Sequence, residues 1–177
     1  MRQVAAEAGY TPGNLYVHFA DKAALFAELC GRAAALFAGS FEKAGRVADP
    51  VGRVEAIGRA YVAFAAAHPH AFRLMFMDAT GPAASDTPAD PGHPDPYAML
   101  RDACHAAVEL GRTHPEAPAD AELLAQTCWA VVHGVAALEV VRHVHDDVKW
   151  RPAKRRRDAA LSAATRGLFT FPDEELT

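Results

Sequence analysis

Three cysteines at positions 30, 104 and 128, with no CxxC pair, are too few and too far apart for a disulfide framework or a zinc ribbon. This usage fits a reducing cytoplasm. No stretch reaches the roughly 18 uninterrupted apolar residues of a membrane span, so no membrane partner is expected. The opening Met1-Arg2-Gln3-Val4-Ala5-Ala6-Glu7 is amphipathic and carries an acid, unlike a secretory leader. An excess of basic charge is lacking too. At a net charge of −4 the chain attracts polyanions poorly, and any contact with nucleic acid must be local. Aromatic residues make up only 8% of the chain, and no run alternates apolar with polar as a half-buried strand does.

Alanine is abundant instead, at 40 of the 177 residues, which points to helices packed closely through small side chains. An apolar period of 3.6 recurs nearly everywhere and predicts an all-α fold of about eight helices. Gly9 stops a helix over 2–8, and Thr11 with Pro12 opens one over 11–19. Asp21 caps a long helix to about residue 47. Asp49-Pro50 opens 49–67, His68-Pro69 opens 68–77, and Asp95-Pro96 opens a helix ending near 113. The last two run over 120–145 and 153–169. Prolines 82, 88, 91, 94 and 96 mark residues 78–96 as a surface loop. The length suits one compact core with a small appendage.

Val4, Ala8, Leu15 and Phe19 meet if the first two helices cross at the steep angle that a Gly9-Tyr10 turn allows, with Ala5 small enough for close passage. That is the pattern of a helix-turn-helix, whose second helix lies in the DNA major groove. The run Val4-Ala5-x-Glu7-Ala8-Gly9-x-Thr11-x-Gly13-x-Leu15-Tyr16-x-His18-Phe19-x-x-Lys22-x-x-Leu25 closely resembles the DNA-binding signature of tetracycline-repressor (TetR) family regulators. The resemblance implies that Thr11, Pro12 and Asn14 face the groove, and that Tyr16, His18 and Lys22 touch backbone phosphates. Chemistry agrees for two of these: Asn14 can bond adenine edges, and Lys22 is the cation beside the helix start at Asp21. The family carries a further helix ahead of this motif, so weak DNA binding is expected of a chain that starts at Met1. Residues 1–30 set Arg2 and Lys22 against Glu7, Asp21 and Glu28, where DNA-binding heads usually show a basic patch.

The family likeness further implies a head with its connecting helix over 1–46 and a ligand-binding and dimerisation domain over 47–177. Helix 120–145 is apolar on two sides, Leu124, Cys128, Val131, Val135 and Leu138 on one and Trp129, Val132, Ala136 and Val140 on the other. It is therefore expected to be buried on both, against its own core and against a partner subunit. Gly134 in mid-helix costs about 1 kcal/mol relative to alanine, and close helix approach would explain it. Trp129-x-x-x-His133-Gly134 also resembles a C-terminal feature of one TetR subgroup. In the family the last two helices make a four-helix bundle with their two-fold mates, implying a homodimer through 120–145 and 153–169. An effector pocket would draw on Phe64, Phe72, Met75, Phe76, Met99, His105, Trp129 and His133, with plain core packing as the alternative for each.

Other constellations do not converge. Cys104, His105 and Asp102 suggest a nucleophile and base, but adjacent helical residues point about 100° apart. His143 and His145 stand two apart on a helix, so no metal site is expected, and no cofactor or catalytic residue either. Residues 142–157 carry a net charge of +5, read as a solvated connection and helix start. The expectation is a ligand-responsive repressor that binds operator DNA as a homodimer and is released by a small apolar effector. The competing expectation is a dimeric helical small-molecule-binding protein with impaired DNA binding.

Overall fold

The computed structural model describes residues 1–77, 95–141 and 147–171. Among these residues are nine helical segments: α1 (Arg2–Glu7), α2 (Pro12–His18), α3 (Lys22–Gly39), α4 (Glu42–Gly45), α5 (Pro50–Ala67), α6 (Pro69–Phe76), α7 (Pro96–Glu109), α8 (Ala121–Val141) and α9 (Ala153–Leu168). The described residues contain no strand, only one antiparallel bridge between Thr113 and Phe169. The fold is all-α, as expected. The proline-rich segment 78–94 and the pair His143 and His145 lie outside the described residues.

Caps explain most of the boundaries. Asp49 Oδ2 accepts from Gly52 N at 2.7 Å, Asp95 Oδ1 from Tyr97 N at 2.9 Å and Asp21 Oδ1 from Ala24 N at 2.8 Å. In each case an orphan N–H of the first turn is satisfied. Two expected helices end early. The helix from Asp21 stops at Gly39 because the Ser40 hydroxyl donates to the Leu36 carbonyl at 2.8 Å, and Phe41, fully buried, turns into the core before the single turn of α4. Helix α7 ends at Glu109 rather than near 113. Gly111 takes φ +64°, and the N–H groups of Gly111 and Arg112 close back on Val108 and Ala107. That left-handed cap commits Thr113 to its bridge with Phe169.

The core is built around α5, which packs against α6, α7, α8 and α9. Its Val51, Val54, Ile57, Tyr61, Val62, Phe64 and Ala65 are buried. Gly58 lets α9 and α8 approach: a Cβ there would lie 2.6 Å from Leu161 Cδ2 and 3.1 Å from Val132 Cγ1. Helix α8 buries one continuous stripe, Leu124, Ala125, Cys128, Val132, Ala136 and Val140, within the chain. The stripe mixes members of the two apolar sides expected from the sequence, and it leaves Leu123, Trp129 and Leu138 exposed at 46%, 39% and 45%. Arg112 ties the ends of the fold together. Its Nη1 donates to the capping Asp49 at 2.9 Å and its Nε to the Thr170 carbonyl at 2.9 Å, while Nη2 is buried without a partner among the described residues.

The stretch Lys22–Gly45 and helix α8 are long and apolar enough to cross a bilayer by length and composition alone, with mean hydropathies of 1.3 and 1.5. In α8 the apolar character belongs to a core helix. The basic run at the start of α9 opposes the helix dipole. Part of it is held by packing: Arg156 pairs with Glu139 of α8 and stands 4.9 Å over the Trp150 ring, and Arg157 bonds Asp158 at 3.0 Å.

Candidate functional site

The N-terminal motif is assembled by two backbone devices. Gly9 takes φ +74°, and the N–H groups of Gly9 and Tyr10 return to the Ala6 and Ala5 carbonyls at 3.2 and 2.8 Å. This closing pattern ends α1 and turns the chain, and a side chain at Gly9 would strain it. Two residues on, Thr11 Oγ1 accepts from Asn14 N at 3.4 Å, and Pro12 starts α2. Ala5 is fully buried in the angle between α1 and α2. The two short helices form a helix-turn-helix.

Helix α2 buries none of its residues. Thr11, Pro12, Asn14, Tyr16 and His18 are all exposed along it, and Lys22 is exposed in the first turn of α3. All six sequence-predicted DNA contacts therefore lie open on one short stretch. His18 packs edge-on against Phe19 at 6.5 Å between ring centroids, which orients its imidazole while leaving it accessible.

A second constellation lies in the helical body. Tyr61 of α5 stands among Phe37, Phe72, Phe76 and His133, with ring centroids 5.5 to 6.1 Å away. Its hydroxyl is 2.8 Å from His133 Nδ1 and 3.5 Å from Trp129 Nε1. Indole N–H can only donate, so the Tyr61 oxygen accepts from Trp129, and the Tyr61 hydroxyl shares a second hydrogen bond with His133 Nδ1 whose direction follows the imidazole tautomer. Burial pushes the Tyr61 hydroxyl up to about 12 and holds the His133 pKa below its ordinary value. Both groups are thus neutral near pH 7, as a buried network requires. Trp129, 39% exposed, carries the cluster to the surface. It packs on Tyr97 at 5.2 Å, and the Tyr97 hydroxyl bonds Glu122.

Of the residues expected to line a pocket, Phe72, Phe76, Trp129 and His133 come together around Tyr61. Phe64 joins through Phe37 at 5.0 Å. Met75 is partly buried against the core, and Met99 packs its methyl onto Gly45 of α4. His105 is not part of the cluster: its side chain is 64% exposed and faces Glu109 at 3.5 Å, one turn along α7. Tyr61 and Phe37 were not anticipated. The signal was there in Tyr61, a phenol in the middle of an apolar helix face, whose hydroxyl needs a partner when buried.

An all-α chain whose small N-terminal helix-turn-helix is joined to a larger helical body is built as a DNA-binding transcriptional regulator. Residues 1–29 match the sequence family described as "Bacterial regulatory proteins, tetR family", and residues 54–166 match "Tetracyclin repressor-like, C-terminal domain". The chain belongs to the TetR family, and as such is a regulator of transcription and not an enzyme. A solved structure titled "Structure of a protein with unknown function from Rhodococcus sp. RHA1" is similar, with 27% sequence identity and a TM-score of 0.71. The match covers 96% of this chain and 84% of that one. No curated protein matches the chain.

Proposed function

We propose that this chain is a cytoplasmic repressor that binds operator DNA as a homodimer and is released by a small, apolar effector. The observation that carries the reading is that α2 buries none of its residues and presents Thr11, Pro12, Asn14, Tyr16 and His18, beside Lys22, exposed. Such a helix is free to enter a major groove. Asn14 would read a base edge, while Tyr16, His18 and Lys22 would fix register on phosphates. Residues 1–46 act as the head and 47–177 as the sensing and pairing domain. Dimerisation uses 120–145 and 153–169. On α8, Leu123, Ala130, Gly134 and Leu138 are exposed on the side away from the buried stripe, and on α9 Ala159, Ala163 and Gly167 are exposed small residues. The effector site is the aromatic cluster around Tyr61, entered beside Trp129, with Met75 and Met99 as adaptable lining. His105 serves there only if α7 turns on binding. Footprinting of the DNA upstream of the gene tests the reading. A two-fold symmetric footprint with half-sites one helical turn or a multiple apart is expected, and its loss in Lys22→Ala. An unprotected fragment would contradict it.

A further inference from the structure

Where α3 ends, the chain leaves a groove against the C-terminal half of α5 that its own side chains do not fill. Its volume is about 360 Å³, at the lower end of the roughly 300–1,000 Å³ of small-molecule sites. The gap follows from residue size. Ala60, Ala63 and Ala67 share one face of α5 by their i, i+3, i+7 spacing, and Gly39 and Ser40 stand across from them. The Ser40 hydroxyl is spent on the Leu36 carbonyl at 2.8 Å, and Phe41 turns away into the core. The base is fixed by packing. Phe64 lines it at 2% exposure, with the Phe37 and His68 rings 5.0 and 5.3 Å away between centroids. His68, at the end of the groove, is pinned on both sides: its N–H donates to the Phe64 carbonyl at 2.8 Å and its carbonyl accepts from Phe72 N at 2.9 Å.

Two charged residues of α4, Glu42 and Lys43, stand on the rim. The Glu42 carboxylate is drawn to Arg46, one turn on, at 3.9 Å. The Lys43 ammonium pairs with no acid among the described residues. The groove thus offers an apolar floor and one uncompensated cation above it. We propose that it is a second small-molecule site, independent of the effector reading above, and that it takes a monocarboxylic acid with an aliphatic body of medium length. The carboxylate pairs with Lys43, a charge-assisted bond strengthened where apolar atoms shield one side from water. The body lies along Ala60, Ala63 and Ala67 over Phe64 and removes apolar surface from water. A bare inorganic anion gains nothing from this floor, an alcohol leaves Lys43 to solvent, and a cationic amphiphile meets Lys43 at the rim. The groove begins at Gly39, the last residue of α3, whose first residue is Lys22. An occupant therefore bears on the helix that joins head to body.

Isothermal titration calorimetry of the full chain with sodium octanoate reads the site, with 1-octanol as the uncharged control. Saturable binding of octanoate is expected, with a Kd of about 1 mM or tighter for a ligand of this size. Octanol should bind more weakly by about 5-fold or more. Alanine-methyl NMR over the same titration should move Ala60, Ala63 and Ala67, and leave Ala125 and Ala136 in place on the helix of Trp129 and His133. Lys43→Gln should weaken octanoate by about 5-fold or more and leave octanol unchanged. Ala63→Trp should fill the groove and remove both ligands. Lys43 and Ala63 are exposed, so neither change reaches the core. No saturation up to about 10 mM would overturn the inference. So would equal affinity for octanol, unchanged binding in Lys43→Gln, or methyl shifts confined to α8. If either variant fails to fold, the wild-type methyl map and the octanol comparison decide.

Discussion

Substituting Gly134 separates the face that α8 keeps for its own chain from the face it offers outward. A Cβ added at Gly134 meets nothing within 4 Å among the described residues, whereas at Gly58 it would sit 2.6 Å from a Leu161 methyl. Within one protomer, Gly134→Ala thus removes a helix-interior glycine at no steric cost. It should stabilise the fold by about 1 kcal/mol, a rise in Tm of roughly 2–4 °C for a domain of this size. Leucine is nearly as good a helix former, so Gly134→Leu should leave the protomer equally sound. In the proposed homodimer the outcome should reverse. Packed helices lie only about 8–10 Å apart at small residues, and a leucine at the contact forces them apart. The dimer Kd should rise at least about 10-fold, or 1.4 kcal/mol. Sedimentation velocity over a concentration series reads the association, and thermal unfolding at the lowest concentration reads the protomer. A leucine variant that dimerises as tightly as wild type while melting higher would refute the placement of Gly134 in the subunit contact.

Phe72 is fully buried against Tyr61, Phe76 and His133, and Phe72→Ala should cost about 3–5 kcal/mol in denaturant unfolding. A loss under 1 kcal/mol would mean the cluster is loosely packed. Burial depresses the His133 pKa, so the unfolded chain binds more protons than the native one below the ordinary value of 6.5. Stability is fully present above that value and declines as pH falls through it. His133→Asn should flatten the pH dependence of Tm, and an unchanged slope would remove His133 as its source. Asp49 caps α5 and pairs with Arg112, so Asp49→Ala should cost about 2 kcal/mol at neutral pH. The Gly52 N–H and then Arg112 hold its carboxyl below the ordinary 3.8, so that difference should vanish as the pH is lowered through and below that value. A gap persisting in strong acid would speak against the cap.

Much of this fold is written in local signals. Gly9, Thr11-Pro12, Asp21, Asp49-Pro50 and Asp95-Pro96 each state a helix boundary through one backbone requirement, and all five act as such. What was not legible depends on the three-dimensional neighbourhood. Ser40 ends α3 by bonding its own helix while Phe41 finds a core site, and nothing local tells that serine from one that stays solvated. Gly111 ends α7 in the left-handed conformation, short of the end expected near 113. The candidate DNA contacts could be placed on the structure because they follow one another along one short stretch of chain, at α2 and the start of α3. The aromatic cluster could not be completed because Tyr61, Phe37 and His133 meet from α5, α3 and α8. His105 fails for a related reason: its helix turns Ala103, Cys104 and Ala107 inward, and the 100° step carries the next residue to solvent.

The central claim is that α2 reads DNA sequence. Fluorescence-anisotropy titrations at one fixed salt concentration test it, with the protein expressed from its own gene and duplexes of equal length from its upstream region and of random sequence. The account predicts tighter binding to the upstream duplex by a factor of roughly 10³ or more. Lys22→Ala should weaken both affinities alike and lower the salt slope by about 1. Asn14→Ala should shrink the ratio between them, by about 1–3 kcal/mol for a bidentate adenine contact. Equal affinity for the two duplexes, or a ratio that Asn14→Ala leaves untouched while Lys22→Ala changes it, would contradict the claim.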